Sequence, residues 1–197
     1  MKLWLVRHGQ TQANVEKRYC GRSEMPLTAV GITQAQAVSQ KLTDIAFDHF
    51  FCSELARAQQ TAATLLQQRP FSFIRNPLLN EIDFGDWEMH SAAELSDKYP
   101  IHYQAWCDDW QHITPPGGES FALFNQRIAL FIKQLRSLDS QANILIVSHQ
   151  GVLRLLISQL LKLPPALMWH FAIEQGAWSE MQLYDDFAVL QCLNNRA

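Results

Sequence analysis

Paired cysteines, basic runs and long apolar stretches are all missing from this 197-residue chain, and each absence removes a class of function. Its four cysteines, Cys20, Cys52, Cys107 and Cys192, are scattered without a CxxC pair or a matching histidine pair. That leaves no ligand set for a zinc site, so no metal is expected, and the thiols read as reduced and structural rather than nucleophilic. Lysine and arginine never run beyond two in a row, and the formal net charge is -3 with a pI near 6.1. A surface that tracks nucleic-acid phosphates is therefore not indicated. The apolar run that opens the chain stops at Arg7, too short for a signal-peptide core or a membrane span. The expectation is a cytosolic protein with neither a membrane nor a nucleic-acid partner. No internal repeat or low-complexity tract interrupts it.

What the chain does have is hydrophobic content, 48%, at a length that can bury about 70% of the unfolded surface in one core. One domain over residues 1–197 is expected. Lys2 to Arg7 reads as a buried strand. Thr28 then caps a helix with Ile32, Ala35, Val38, Leu42 and Ile45 on one face. The pattern repeats with a strand at Asp48 to Cys52 and a helix capped by Ser53 and carrying Ala58, Ala62, Leu65 and Leu66. Phe71 to Arg75 reads as a third strand. Asn143 to Ser148 is a continuous apolar run typical of a central strand covered on both faces. A leucine-rich helix, Val152 to Leu163, stops at Pro164, and Glu180 to Tyr184 with Ala188 to Leu193 suggest a hairpin. Strands alternating with helices predict a three-layer α/β/α sandwich with a mainly parallel mixed sheet. Between Phe84 and Gly118 the rhythm breaks into two short helical stretches, Ala92 to Tyr99 and His102 to Trp110, and a Pro115-Pro116-Gly117-Gly118 turn. This segment, about 84–118, reads as a small helical lid over the sheet's carboxyl edge.

Charged and titratable groups sit just past the predicted strands: Arg7 and His8 after the first, Arg57 after the second, Glu81 after the third, His149 after the run at 143–148. Parallel strands bring these ends to one edge, where open α/β sheets put their chemistry. Two guanidinium forks match phosphate oxygens, an imidazole can attack phosphorus, and a carboxylic acid can protonate a departing alkoxide. This is a toolkit for cutting a phosphomonoester without metal or cofactor.

Leu5-Val6-Arg7-His8-Gly9-Gln10-Thr11 with Asn14, then Pro26-Leu27-Thr28 with Gly31 and Gln34-Ala35, resembles the opening of the histidine phosphatase superfamily, phosphoglycerate-mutase-like branch. The likeness continues through Ser53-Glu54-Leu55, Arg57-Ala58 and Gln60-Thr61-Ala62, then Glu81, Phe84-Gly85 and Trp87-Glu88. It closes with Pro116-Gly117-Gly118-Glu119-Ser120 and Val147-Ser148-His149 with Gly151-Val152. The resemblance implies that His8 is the nucleophile and carries a phosphohistidine intermediate. It implies that Arg7, Arg57 and His149 hold the phosphoryl oxygens with help from Asn14, and that Glu81 is the general acid and then the base. His8 must then be neutral, with its other ring nitrogen donating to a backbone carbonyl. Asp83, Asp86 and Glu88 are near enough in sequence to act on Glu81 by like charge. Met89 and Gln150 stand where the family often has glycine. Gln150 and Trp87 are expected to touch substrate.

The lid bears on the substrate, a small-molecule phosphomonoester. From Asn76 to Gln126 there is one cation, Lys98, against nine carboxylates, which disfavours a second anionic group on the substrate. Six of the 21 aromatic residues fall between Phe84 and Trp110 and could stack on a planar heterocycle, or simply pack the lid. A monophosphate with a neutral aromatic tail fits both, and the overall spacing and compact length resemble the alpha-ribazole phosphatases of cobalamin assembly. A broad-specificity acid phosphatase, a phosphoglycerate mutase and a non-catalytic phosphoester-binding protein follow as alternatives. A phosphohistidine-protein phosphatase is disfavoured by the lid. The oligomeric state is open, a homodimer included.

Overall fold

The structure, a computed structural model, describes residues 1–67 and 72–196. Its elements in chain order are β1 (Lys2–Arg7), α1 (Gln12–Val15), α2 (Ala29–Lys41), β2 (His49–Cys52), α3 (Ala56–Leu66) and β3 (Ile74–Arg75). Then come α4 (Ala92–Lys98), α5 (Pro100–Asp108), α6 (Phe121–Arg136), β4 (Asn143–Ser148), α7 (Gln150–Leu160), β5 (Trp178–Leu183) and β6 (Ala188–Asn195). The described strands form one sheet in the order β3-β2-β4-β1-β5-β6. The first four run parallel, and the C-terminal hairpin adds antiparallel strands beside β1. As its unbroken apolar run predicts, β4 lies in the interior, between β1 and β2.

Period-two alternation sorts the core into two layers. From β1 and β4, Leu3, Leu5, Ile144 and Ile146 face α6 and α7, where Ile128, Phe131, Leu153 and Leu156 are fully buried. Trp4, Val6, Leu145 and Val147 face the other way, onto Val38, Ala58, Ala62 and Leu65 of α2 and α3. Each large side chain so buried contributes about 1.5–3 kcal/mol. The expected three-layer sandwich results.

Several local expectations need correction. In α2 the buried face is Gly31, Ala35 and Val38, while Ile32 is exposed; Leu42 and Ile45 lie beyond the helix. Thr28 does cap it, accepting from the Gly31 amide. Ser53 does not cap α3, whose N-cap is Leu55. The third strand shrinks to Ile74–Arg75, both exposed on the sheet's edge; Phe71 lies outside the described residues. The leucine-rich helix starts at Gln150 and ends at Leu160, before its prolines.

The 84–118 segment leaves and rejoins the sandwich at one point. The Asp86 amide donates to the Pro116 carbonyl at 2.8 Å and the Glu119 amide to the Asp83 carbonyl at 2.9 Å. Gly85, at φ +53, approaches the Pro116 to Gly118 turn so closely that a Cβ would collide with its backbone. Between these pinned ends, α4 and α5 enclose a small core of Trp87, Leu95 and Tyr103.

Candidate active site

The parallel register delivers the charged groups to one edge, as the strand reading expects. His8 leaves β1 beside Ser148 of β4, its amide donating to the Ser148 carbonyl at 2.9 Å. The next residue, Gly9, lies against the backbone of Gly31, and a Cβ on either glycine would strike the other segment's backbone. Gly9 also donates its amide to Thr61 Oγ1 of α3, so helices on the same side fix the loop that carries His8.

His8 meets the requirement placed on a nucleophile. Its Nδ1 lies 2.8 Å from the Gly9 carbonyl, which fixes the proton there and leaves the Nε2 lone pair bare. Burial, then the Arg57 and Arg7 charges, hold its pKa well below the usual histidine range, so the ring is neutral at pH 7. The His149 ring lies 5.1 Å away, centroid to centroid. It too is held neutral, by burial first and by Arg57 next.

His149 stands in a chain of buried groups. Arg57 Nε donates to His149 Nδ1 at 3.2 Å, so the ring proton sits on Nε2, 2.7 Å from Ser53 Oγ. The Ser53 hydroxyl in turn donates to Asn80 Oδ1 at 2.8 Å. The residue read from sequence as a helix cap is thus the residue that orients His149. Arg57 is almost wholly buried, and its Nη atoms donate to the backbone carbonyls of Cys20, Gly21 and Ser23.

Glu81, in the segment that follows β3, is held against the start of α7. Its Oε2 accepts from the Gly151 amide at 2.9 Å, and its Oε1 lies close enough that a Cβ on residue 151 would come within 2.5 Å of it. Arg7 donates to the Ile173 carbonyl through Nη1 at 2.9 Å, while its Nε is buried without a partner. Burial pulls the Arg7 pKa down to about 10, opposed by Glu81 and aided by Arg154 and Arg57, which leaves it cationic at pH 7. The guanidinium thus keeps donor capacity that no protein group among the described residues uses. Asn14 accepts at Oδ1 from the Thr11 amide, Thr11 Oγ1 and Gln175 Nε2, leaving its Nδ2 free to donate.

These groups form the floor of a cavity of about 510 Å³. Arg7, His8, Asn14, Glu81 and Gln150 line it, whereas Arg57 and His149 lie directly behind. The upper wall is aromatic: Trp110 meets Phe121 edge-to-face at 4.6 Å and Trp169 at 5.4 Å. Trp87 does not line the cavity. It is fully buried among Tyr99, His102, Tyr103 and Trp106, so the sequence expectation of a substrate contact is corrected to a packing role. Of the six lid aromatics, Phe84, Trp106 and Trp110 reach the cavity. Asp83 and Glu88 turn their carboxylates to backbone amides, which makes them builders of the local turn. Of the thiols only Cys52 is buried.

The family pattern described as histidine phosphatase superfamily (branch 1) matches residues 3–196. The chain belongs to this superfamily. It is a phosphoric monoester hydrolase. Among its relatives, an adenosylcobalamin/alpha-ribazole phosphatase of Escherichia coli (strain K12) is 48% identical, the match covering 100% of this chain and 97% of the relative. An alpha-ribazole phosphatase structure from Shigella flexneri superposes with a TM-score of 0.97 at 50% identity, over 100% of this chain and 98% of the other. A mutant phosphoserine phosphatase of Entamoeba histolytica in complex with phosphoserine gives 0.86 at 26% identity, over 99% and 97%.

Two features of this histidine phosphatase escaped the sequence reading. Arg154, four residues into α7, lines the cavity with Nε held by the Phe171 carbonyl at 2.7 Å and its guanidinium 5.1 Å from the Trp169 ring centroid. Its helical spacing after His149 was the available signal. Arg18 also lines the cavity but is neutralised by Glu16 and Glu94. The sequence tally from Asn76 to Gln126 therefore undercounted the cations around the substrate. Met89, at φ +62, occupies the left-handed region, where glycine is at ease.

Proposed function

We propose that this chain hydrolyses alpha-ribazole 5'-phosphate through a phosphohistidine on His8, as one catalytic unit over residues 1–197 with 84–118 as its lid. The reading rests above all on one observation: His8 has a bare Nε2 and lines the same cavity as Arg7, a cation without a carboxylate partner among the described residues. Full-length similarity to phosphatases so named supports the substrate. The free thiols suit a reducing compartment, the cytoplasm. Among the described residues no helix is long and apolar enough to cross a membrane.

In the first half-reaction Nε2 of His8 attacks phosphorus while the ester oxygen leaves with its bonding pair. Glu81 gives that oxygen a proton. Arg7 and Asn14 offset the charge that builds on the phosphoryl oxygens from within the cavity, and Arg57 does so from behind it, its Nε held by the His149 ring. In the second, Glu81 takes a proton from water, the water oxygen attacks the phosphohistidine, and inorganic phosphate leaves with His8 restored. The ribazole base would lie against Trp110, Phe121 and Trp169, and Gln150 at the rim would meet the ribose.

Arg154 supports a second reading, a phosphatase for small esters bearing a carboxylate near the phosphate, since it lines the same cavity as Glu81 and feels that carboxylate's charge. One panel separates the two: kcat/KM in EDTA for alpha-ribazole 5'-phosphate, phosphoserine, 3-phosphoglycerate, nucleoside monophosphates and p-nitrophenyl phosphate. A preference of about 100-fold for the ribazole ester, roughly 2.7 kcal/mol in transition-state binding, is expected. A preference for the acidic esters that vanishes in Arg154→Met would replace the first reading with the second.

A further inference from the structure

Arg57 is a buried cation with an unusual balance of charge. Among the described residues no carboxylate lies within ion-pairing distance of it, and its guanidinium is satisfied by His149 and by carbonyls of the 20–23 loop. The other side of that loop faces an anion. Glu88 Oε1 accepts from the Gly21 amide at 3.0 Å, the Arg22 amide at 2.8 Å and the Phe84 amide at 3.1 Å. Its Oε2 accepts from Gly21 and from Ser23, both at 3.1 Å.

Two peptide groups are shared between these sets. The Cys20–Gly21 unit gives its N–H to Glu88 and its C=O to Arg57, and the Gly21–Arg22 unit does the same. A trans peptide points its N–H and C=O in opposite directions. A carboxylate on one side and a guanidinium on the other therefore polarise the same two dipoles in the same sense, and each hydrogen bond strengthens the next. Residue 21 must be glycine for this, because a Cβ would strike Glu88 Oε1 and the Ile82 carbonyl.

We propose that Glu88, at the base of the lid, is a positioning residue that acts on the phosphoryl group through Arg57, as an ion pair relayed by two peptide groups. The inference rests on Arg57 being a phosphoryl clamp. Glu88 does not line the cavity; it sets where the carbonyls of Cys20 and Gly21 stand, and these set the height of the guanidinium behind His8. The lid and the phosphate floor are thereby one electrostatic assembly.

The test is Glu88→Gln in the parent chain and in an Arg57→Lys background, with p-nitrophenyl phosphate as substrate and inorganic phosphate as inhibitor. In the parent, replacing a charged acceptor by a neutral one should lower kcat/KM and weaken phosphate inhibition together, each by about tenfold. An alkyl phosphate should lose as much as the nitrophenyl ester, since Arg57 serves the phosphoryl group and not the leaving group. In Arg57→Lys the further loss should be under about twofold. Asp97→Asn, on the exposed face of α4, should change neither. An undiminished loss in the lysine background, or no loss in the parent, overturns the proposal. If Glu88→Gln folds poorly, Glu88→Asp decides: regained thermal stability without regained phosphate affinity counts against the relay. Phosphate inhibition indifferent to Arg57→Lys itself would instead overturn the Arg57 assignment.

Discussion

The floor of the cavity and its upper wall are built on different terms. On the floor, His8 and Glu81 are fixed by the Gly9 carbonyl and the Gly151 amide; behind it, Arg57 is held by the 20–23 loop, and His149 by Arg57 and Ser53. Their positions follow from sheet register and helix starts, which tolerate little change. The wall is made of rings meeting edge to edge, Trp110 with Phe121 and Trp169, with Arg154 lying along the last. Ring contacts of this kind can be re-cut by single substitutions without moving the backbone. The difference teaches that the chemistry is set by the fold and the choice of ester by the wall. It also agrees with the retention of this architecture, at a TM-score of 0.86, in a phosphatase only 26% identical.

The sharpest way to break the comparison is His8→Ala, which should lower kcat on every ester by roughly 10⁴-fold or more and abolish the acid-labile phosphoprotein seen in rapid-quench labelling. A wall variant with an equal, substrate-blind loss would dissolve the distinction. Glu81→Gln should cost about 10²–10⁴-fold on alkyl phosphates but much less on p-nitrophenyl phosphate, whose leaving group needs no proton. Equal losses on both would remove the acid role.

The floor should also show itself in the pH dependence of stability. His8 and His149 have folded pKa values below the unfolded value of about 6.5. Above that pH both states are neutral and nothing is lost. As pH falls below it the unfolded chain takes up protons that the folded chain refuses, so stability drops by about 1.4 kcal/mol per pH unit for each ring. Thermal melts from pH 7.5 to 5 should show this decline, reduced in His149→Asn. On the wall, Trp110→Ala should raise KM for the ribazole ester about three- to tenfold and leave p-nitrophenyl phosphate almost unaffected. The smallest effect expected is at the lid's base, where Met89→Gly relieves a left-handed backbone and should raise stability by roughly 1 kcal/mol without altering the substrate profile. Denaturant unfolding measures it.

Legibility followed the same divide. Hydrophobic runs located β1, β2 and β4, and their parallel order put Arg7, His8, Arg57, Glu81 and His149 at one edge, because strand ends are determined by local pattern. What failed depends on tertiary direction. Ser53 has a capping residue's chemistry, yet its hydroxyl goes to a histidine 96 positions away. Trp87 is aromatic like Trp110, and only the closure of α4 and α5 over it decides that one packs and the other faces the cavity. Arg154 lies outside the contiguous stretch 76–126, because the cavity gathers its cations from the end of β1, the segment after α1 and α7. Ile32 kept the helical period but fell on the outer face, since α2 turns its glycine side inward.

That glycine side has a consequence for how the molecule can change. Where Gly9 meets Gly31, two main chains touch with no side chain between them. The placement of the nucleophile is therefore gauged by the thickness of bare backbone, a dimension that no choice of residue can make thinner and that any added carbon makes thicker. Substitution can drift freely over the solvent side of α2, but along this seam the helix serves as a fixed stop for the loop that carries His8.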